Sequence, residues 1–105
     1  MRLLGQATVA FLPTAQARGV LFAEFQTYVQ THPAMQAEVE KRTLANVARL
    51  AEAWRGYLRE DEIGMSLRQF VVVIDALIAG LIGQRLLTPS VVTDETLIAA
   101  FEALA

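Results

Sequence analysis

The stretch Leu67–Leu87 constrains the fold of this chain more than any other segment. It has the sequence LRQFVVVIDALIAGLIGQRLL, and as a helix it would be apolar on nearly every side, although it contains Asp75. A surface helix needs only one apolar stripe, whereas a helix that is apolar all round must be covered on all sides. A chain of 105 residues has little material for that cover. The stretch therefore predicts a membrane span, the central helix of a bundle, or a helix covered partly by a second chain.

The composition indicates apolar surface that is covered by something outside the chain. Hydrophobic residues make up 54% of the chain and charged residues 19%, so the sequence is more apolar than an ordinary soluble domain. The net charge of −2 offers no basic surface for phosphate groups, and direct binding to nucleic acid is not expected. The absence of cysteine excludes disulfides and zinc–thiolate sites. At this length we expect one domain, spanning residues 1–105.

Charged residues argue against a membrane span. A spanning helix needs about 20 mostly apolar residues, and a central aspartate costs on the order of 3 kcal/mol on insertion scales. Arg68, Asp75 and Arg85 interrupt the stretch. The first 17 residues weakly resemble a signal peptide, but polar residues break their apolar core. We therefore expect a cytoplasmic protein without a membrane partner, and a secreted or membrane-associated helical protein is a less favoured alternative.

Helical punctuation recurs along the whole chain, and hairpin signals are weak. Pro13 closes a short leading segment at residues 3–12, and a helix is predicted at residues 15–31. A third helix should begin at Pro33, which suits a first helical position, and end near residues 58–60. Two further helices follow, at Leu67–Leu87 and after Thr93. The predicted fold is all-α, an antiparallel bundle of four main helices plus the short leading segment.

Local signals define the helix ends near the apolar stretch. Gly64 is a predicted helix stop, and Ser66 with Gln69 three residues later forms a capping-box pattern. Thr93 is a predicted N-cap for the last helix, whose first turn is acidic.

The apolar helix has one bulky face and one small face. At 100° per residue, the bulky side chains are Phe70, Ile74, Leu77 and Leu81, and the opposite face holds Val72, Ala76, Ala79 and Gly83. The bulky face should fill the core of the chain, and the small face admits close approach of another helix. Each helical glycine costs about 1 kcal/mol relative to alanine, so a packing role is expected for Gly80 and Gly83. We predict a homodimer through this helix and the last one. The predicted interface residues are Val72, Ala76, Ala79, Gly80, Gly83, Gln84, Leu87, Ile98 and Phe101.

The stretch IAGLIGQRLLTP at residues 78–89, followed by a short apolar helix, resembles the end of the ligand-binding domain of TetR-family transcriptional regulators. The segment RGVLFAEF at residues 18–25, which leads to Thr31-His32-Pro33, is similar to a preceding helix of that family. Together the resemblance covers residues 18–104. It implies a dimer through the last two long helices and a pocket within the bundle for a small-molecule effector that controls DNA binding.

The chain departs from that family in one large respect. The residues before Arg18 are too few for the three-helix DNA-binding head, so DNA binding is expected only through a domain missing from this chain. The sequence corresponds either to the effector-binding half of a longer regulator or to a stand-alone relative. The alternative function is a helical dimerisation or adaptor module with no small-molecule pocket.

Aromatic and neighbouring residues are the candidates for an apolar ligand pocket, although such residues at helical spacing also form ordinary cores. The candidates are Phe22, Phe25, Gln26, Tyr28, Trp54, Tyr57, Phe70 and Ile74. Asp75 is expected to pair with an arginine of another helix, with a dimer contact or a cationic ligand as alternatives.

We expect no enzymatic activity, no cofactor and no metal. The sequence has no Ser-His-Asp set, phosphate loop or dinucleotide fingerprint. His32 is the only histidine, and a capping or surface role is predicted for it. The paired acidic residues Asp61 and Glu62 are predicted to lie in a solvated turn.

Overall fold

The computed structural model describes residues 1–104, and all regular secondary structure within them is helical. The helices are α1 (Arg2–Thr31), α2 (Pro33–Trp54), α3 (Glu60–Ile63), α4 (Leu67–Leu87) and α5 (Asp94–Glu102). The predicted all-α class is confirmed. The chain divides into two compact units, residues Val20–Ile74 and, separately, Met1–Gly19 with the described residues from Asp75 onward. Each unit is described by itself.

Helix α1 runs without interruption through Pro13 for 30 residues, so the predicted break between residues 12 and 15 is wrong. A proline in a helix interior removes one backbone hydrogen bond and costs about 3 kcal/mol. Packing of the first turns offsets part of this cost, since Gly5 and Thr8 are both buried. The Thr8 hydroxyl donates a hydrogen bond to the carbonyl of Leu4 at 2.9 Å.

Helix α2 begins at Pro33, as predicted, but ends at Trp54 rather than near residues 58–60. The segment predicted to be a solvated turn contains the short helix α3, which includes Asp61 and Glu62. Gly64 ends α3 with φ +67°, in the left-handed region that favours glycine, and its N–H bonds to the carbonyl of Glu60 at 3.1 Å. The predicted stop at Gly64 is confirmed, although it ends a helix that was not predicted.

The start of α4 matches the capping box. The backbone N–H of Gln69 donates to the Ser66 hydroxyl at 3.1 Å, and the Gln69 side-chain oxygen accepts from the Ser66 N–H at 3.1 Å. The Glu60 carboxylate accepts a further bond from the N–H of Leu67 at 3.1 Å. Because the first N–H groups of a helix have no partner within the helix, these bonds fix where α4 begins.

The core of the Val20–Ile74 unit lies between α2 and the first half of α4. Its buried residues are Val47, Ala51, Leu67 and Val71. Four partly buried residues pack around them, namely Leu50, Trp54, Leu58 and Ile63. The last two come from the connection after α2 and from α3, so the unpredicted helix contributes to this core.

The other unit has a core built on α5. Leu97 and Phe101 are fully buried, and Val92 is buried in the turn before the helix. Thr93 caps α5, as predicted, by accepting a hydrogen bond from the N–H of Thr96 at 3.2 Å. Arg85 holds the turn from α4, because its guanidinium donates to the carbonyl of Val92 at 2.9 Å and pairs with the carboxylate of Asp94 at 2.8 Å.

Candidate functional site

The small face of α4 is uncovered among the residues that the structure describes. Ala76, Ala79, Gly80 and Gly83 are exposed. A Cβ atom built at Gly80 or Gly83 would meet no described atom within 4 Å outside the adjoining backbone of α4. The predicted interface residues Val72, Gln84 and Leu87 are also exposed. Within residues 1–104, the glycines of α4 therefore serve no close packing against another element.

The bulky face of α4 behaves differently. Phe70 and Ile74 are buried, and Leu77 and Leu81 are partly buried. The prediction that this face fills the chain's own core is confirmed for Phe70 and Ile74. These two residues were also candidates for a ligand pocket, and little of either side chain is open to a ligand in this structure.

The two interface candidates on α5 are covered to different extents. Ile98 is partly buried, whereas Phe101 is 0% exposed. Phe101 faces Gly5 at the start of α1, where a glycine Cβ would lie 3.4 Å from the Cδ2 of the phenylalanine ring. Phe101 is thus enclosed by its own chain, and its side chain offers no surface to a partner in this arrangement.

Three of the aromatic ligand candidates lie together in the Val20–Ile74 unit. The ring of Trp54 stands edge-on to Phe70 at a centroid distance of 5.3 Å and to Tyr57 at 6.4 Å. Tyr57 is 83% exposed. This cluster packs Trp54 between a buried ring and an exposed one, a geometry that also suits ordinary core packing.

The ligand candidates on α1 form an exposed surface. Phe22, Phe25 and Tyr28 are each about half exposed, and Gln26 is exposed. Tyr28 stacks on His32 at 3.7 Å.

His32 belongs to the junction between α1 and α2. Its Nδ1 lies 2.7 Å from the carbonyl oxygen of Tyr28 and 3.0 Å from the hydroxyl of Thr31. Its side chain makes no capping hydrogen bond to the start of α2. The capping role predicted for His32 is therefore confirmed at the end of α1 rather than at the start of α2.

An open apolar groove lies between α2 and α4 in the Val20–Ile74 unit, with a volume of about 600 Å³. Its lining residues are Thr43, Leu44, Val47, Met65, Arg68, Gln69, Val72 and Val73. None of the eight predicted ligand residues lines it. Leu44 and Val73 lie outside the apolar stripes that helical spacing predicts for their helices. Each is an exposed apolar residue on one of two neighbouring helices. That the two residues line one groove can be recognised only when the helices are placed side by side.

Charged groups outside this groove form no obvious chemical site. Asp75 is exposed and makes no ion pair among residues 1–104. The expected pairing with an arginine of another helix is thus not formed among the described residues, and an exposed carboxylate does not require a partner. No group of three or more His, Cys, Asp or Glu residues suited to a metal ion occurs within the same residues.

Helix α4 is long and apolar enough to cross a membrane by length and composition, and 17% of its most apolar window is buried. One such helix is weak evidence for a span, since the core helix of a soluble protein meets the same criterion.

Comparisons of the chain with models of protein families, with curated proteins and with solved structures gave no match.

Proposed function

We propose that this chain is the effector-binding and dimerisation domain of a TetR-like transcriptional regulator. In this proposal the helices form an antiparallel bundle, and two copies pair through α4 and α5. A small, mostly apolar effector binds each bundle in the cytoplasm and controls DNA binding by a head that is not part of this chain. The observation that carries the proposal is the uncovered small face of α4.

The small face is costly unless something packs on it. Gly80 and Gly83 each cost about 1 kcal/mol relative to alanine within a helix, and neither has an atom of its own chain near the position of a Cβ. Close approach of a helix from a second copy would use the space that the glycines leave open. Leu87, which is 82% exposed near the end of the same helix, would be covered by the same contact.

The assignment to a regulator rests on the resemblance of residues 18–104 to the TetR family. The helices found at Leu67–Leu87 and Asp94–Glu102 agree with the long apolar helix and short final helix that this resemblance implies. An apolar concave surface is also present, in the groove between α2 and α4, as small-molecule binding requires.

Sedimentation velocity over a range of protein concentrations tests the dimer. The Gly83→Leu variant should shift the monomer–dimer equilibrium at least tenfold toward monomer, because a leucine side chain blocks close approach of the partner helix. Gly56→Leu is the matched control, since Gly56 lies in the turn after α2 and also has no atom within 4 Å of its Cβ position. A wild-type chain that stays monomeric at micromolar concentration, or equal effects of the two variants, would contradict the proposal.

The second candidate is a helical dimerisation or adaptor module with no small-molecule pocket. The predicted pocket residues favour it in part, because Phe70 and Ile74 are buried in the core. Thermal unfolding in the presence of a small-molecule library separates the two functions. A class of compounds that raises the melting temperature supports effector binding, whereas a dimer that no compound stabilises supports the adaptor.

A further inference from the structure

The groove between α2 and α4 combines an apolar wall with one positively charged side chain. Its wall consists of Leu44, Val47, Met65, Val72 and Val73. Its three polar residues are Thr43, Arg68 and Gln69, and no carboxylate lines it. The groove volume of about 600 Å³ lies within the range of small-molecule sites, about 300–1,000 Å³.

Each polar residue of the groove can donate hydrogen bonds. Arg68 carries a guanidinium with five N–H donors and no acceptor, and Thr43 carries a hydroxyl. The side-chain oxygen of Gln69 accepts one bond, from the Ser66 N–H at 3.1 Å, and its NH₂ group is a donor, while the Thr43 hydroxyl both donates and accepts. Arg68 is therefore the one lining residue that can only donate, and it is also the only charged one.

Arg68 also differs from most arginines of this chain. Arg55 pairs with Glu52 and Arg59 with Asp61 and Glu62, whereas Arg68 makes no ion pair among residues 1–104. Its positive charge stands beside an apolar wall and is not balanced by an acidic lining residue. Such a surface is complementary to a molecule with an apolar body and an anionic head.

We propose that this groove binds a free amphipathic carboxylate, such as a medium-chain fatty acid. The alkyl chain lies along Leu44, Val47 and Val73, and the carboxylate accepts hydrogen bonds from Arg68, whose planar guanidinium matches its two oxygens. The inference rests on the proposed function in one respect: it names the chemical class of the effector. It places that effector at residues different from those predicted from the sequence.

Isothermal titration calorimetry with the full chain tests the proposal, with decanoate as the probe below its micelle-forming concentration. Decanol and decyltrimethylammonium have matched chains with a neutral and a cationic head. Decanoate should bind at least about tenfold more tightly than either, because only its head can pair with the guanidinium. Arg68→Gln should weaken decanoate binding about tenfold, and the control Arg55→Gln should leave it unchanged.

A second variant tests the wall. Leu44 is 66% exposed, so Leu44→Trp should fold normally while it fills the groove and weakens decanoate binding. Equal affinity for decanoate and decanol, or unchanged decanoate binding in both Arg68→Gln and Leu44→Trp, overturns the proposal. Two further results overturn it when free decanoate does not bind. If the protein sediments with anionic vesicles, the groove binds a membrane surface instead. If Leu44→Trp disrupts the dimer, the groove binds a second copy of the chain instead.

The two proposals fail separately. A dimer that does not bind decanoate retains the dimerisation proposal and overturns the fatty-acid site. A monomer that binds decanoate through Arg68 retains the fatty-acid site and overturns the dimerisation proposal.

Discussion

Gly5 lies directly against the backbone of Ile98. A Cβ atom at Gly5 would be 3.0 Å from the Cα of Ile98 and 3.5 Å from its carbonyl oxygen. The first turns of α1 thus contact the backbone of α5, and a side chain at this position would require that backbone to shift by a few tenths of an ångström. The relationship joins two segments that are more than 90 residues apart, and no local sequence signal announces it.

Substitution of Gly5 by leucine should destabilise the chain. The obstacle is main chain rather than the end of a flexible side chain, so the helices must move apart. We expect a loss of about 1–3 kcal/mol in the free energy of unfolding, the usual cost of overpacking, measured by urea denaturation. Gly56→Leu is the control, because no atom lies within 4 Å of its Cβ position. Equal stability of the two variants would show that α1 does not rest on α5.

Phe101 should be among the most sensitive positions of its unit. Its side chain is 0% exposed, and Phe101→Ala should lower the free energy of unfolding by about 3–5 kcal/mol, the range for a buried phenylalanine. Phe25→Ala is the comparison, because Phe25 is 45% exposed and should cost much less. Thermal unfolding followed by circular dichroism measures both. Comparable shifts in melting temperature would place the core elsewhere.

The turn between α4 and α5 should depend on Arg85. Its guanidinium bonds both the carbonyl of Val92 and the carboxylate of Asp94. Arg85→Ala should reduce stability by about 1–2 kcal/mol, since it removes a charge-assisted bond to a backbone carbonyl as well as a partly exposed ion pair. Asp94→Asn removes the ion pair and the favourable interaction of the carboxylate with the dipole of α5, but it leaves the bond from Arg85 to Val92 in place and should cost less. Urea denaturation at low and high salt separates the two contributions, and a salt-independent loss in Asp94→Asn would contradict an electrostatic origin.

The parts of the fold that were predictable depend on neighbouring residues. The start of α4 follows from Ser66 and Gln69, and the start of α5 follows from Thr93. In each case the side chain bonds a backbone group three residues away. The stop at Gly64 likewise needs only a positive φ.

The features that the sequence did not predict depend on contacts between residues far apart in the chain, or on helices too short to show a periodic pattern. The continuation of α1 through Pro13 goes with the burial of Gly5 and Thr8. Helix α3 has only four residues, too few for a periodic pattern to mark it.

The groove was missed for a different reason. Leu44 of α2 and Val73 of α4 both line it, and each residue alone resembles an ordinary exposed apolar side chain. Its recognition requires the pairing of two helices that a connection of twelve residues separates.

Pro13 supplies a test of the continuous α1. The proline is exposed, so its removal sacrifices little packing, and alanine would restore an N–H for the carbonyl four residues earlier. We expect Pro13→Ala to raise the free energy of unfolding by about 1–3 kcal/mol, because proline is about 3 kcal/mol less favourable than alanine in a helix interior. Pro33→Ala is the matched control, since Pro33 occupies the first turn of α2, where a missing N–H costs nothing, and its stability should change little. Urea denaturation of both variants measures the difference. Equal effects would indicate that the chain is broken at Pro13, as the sequence alone predicts, rather than helical through it.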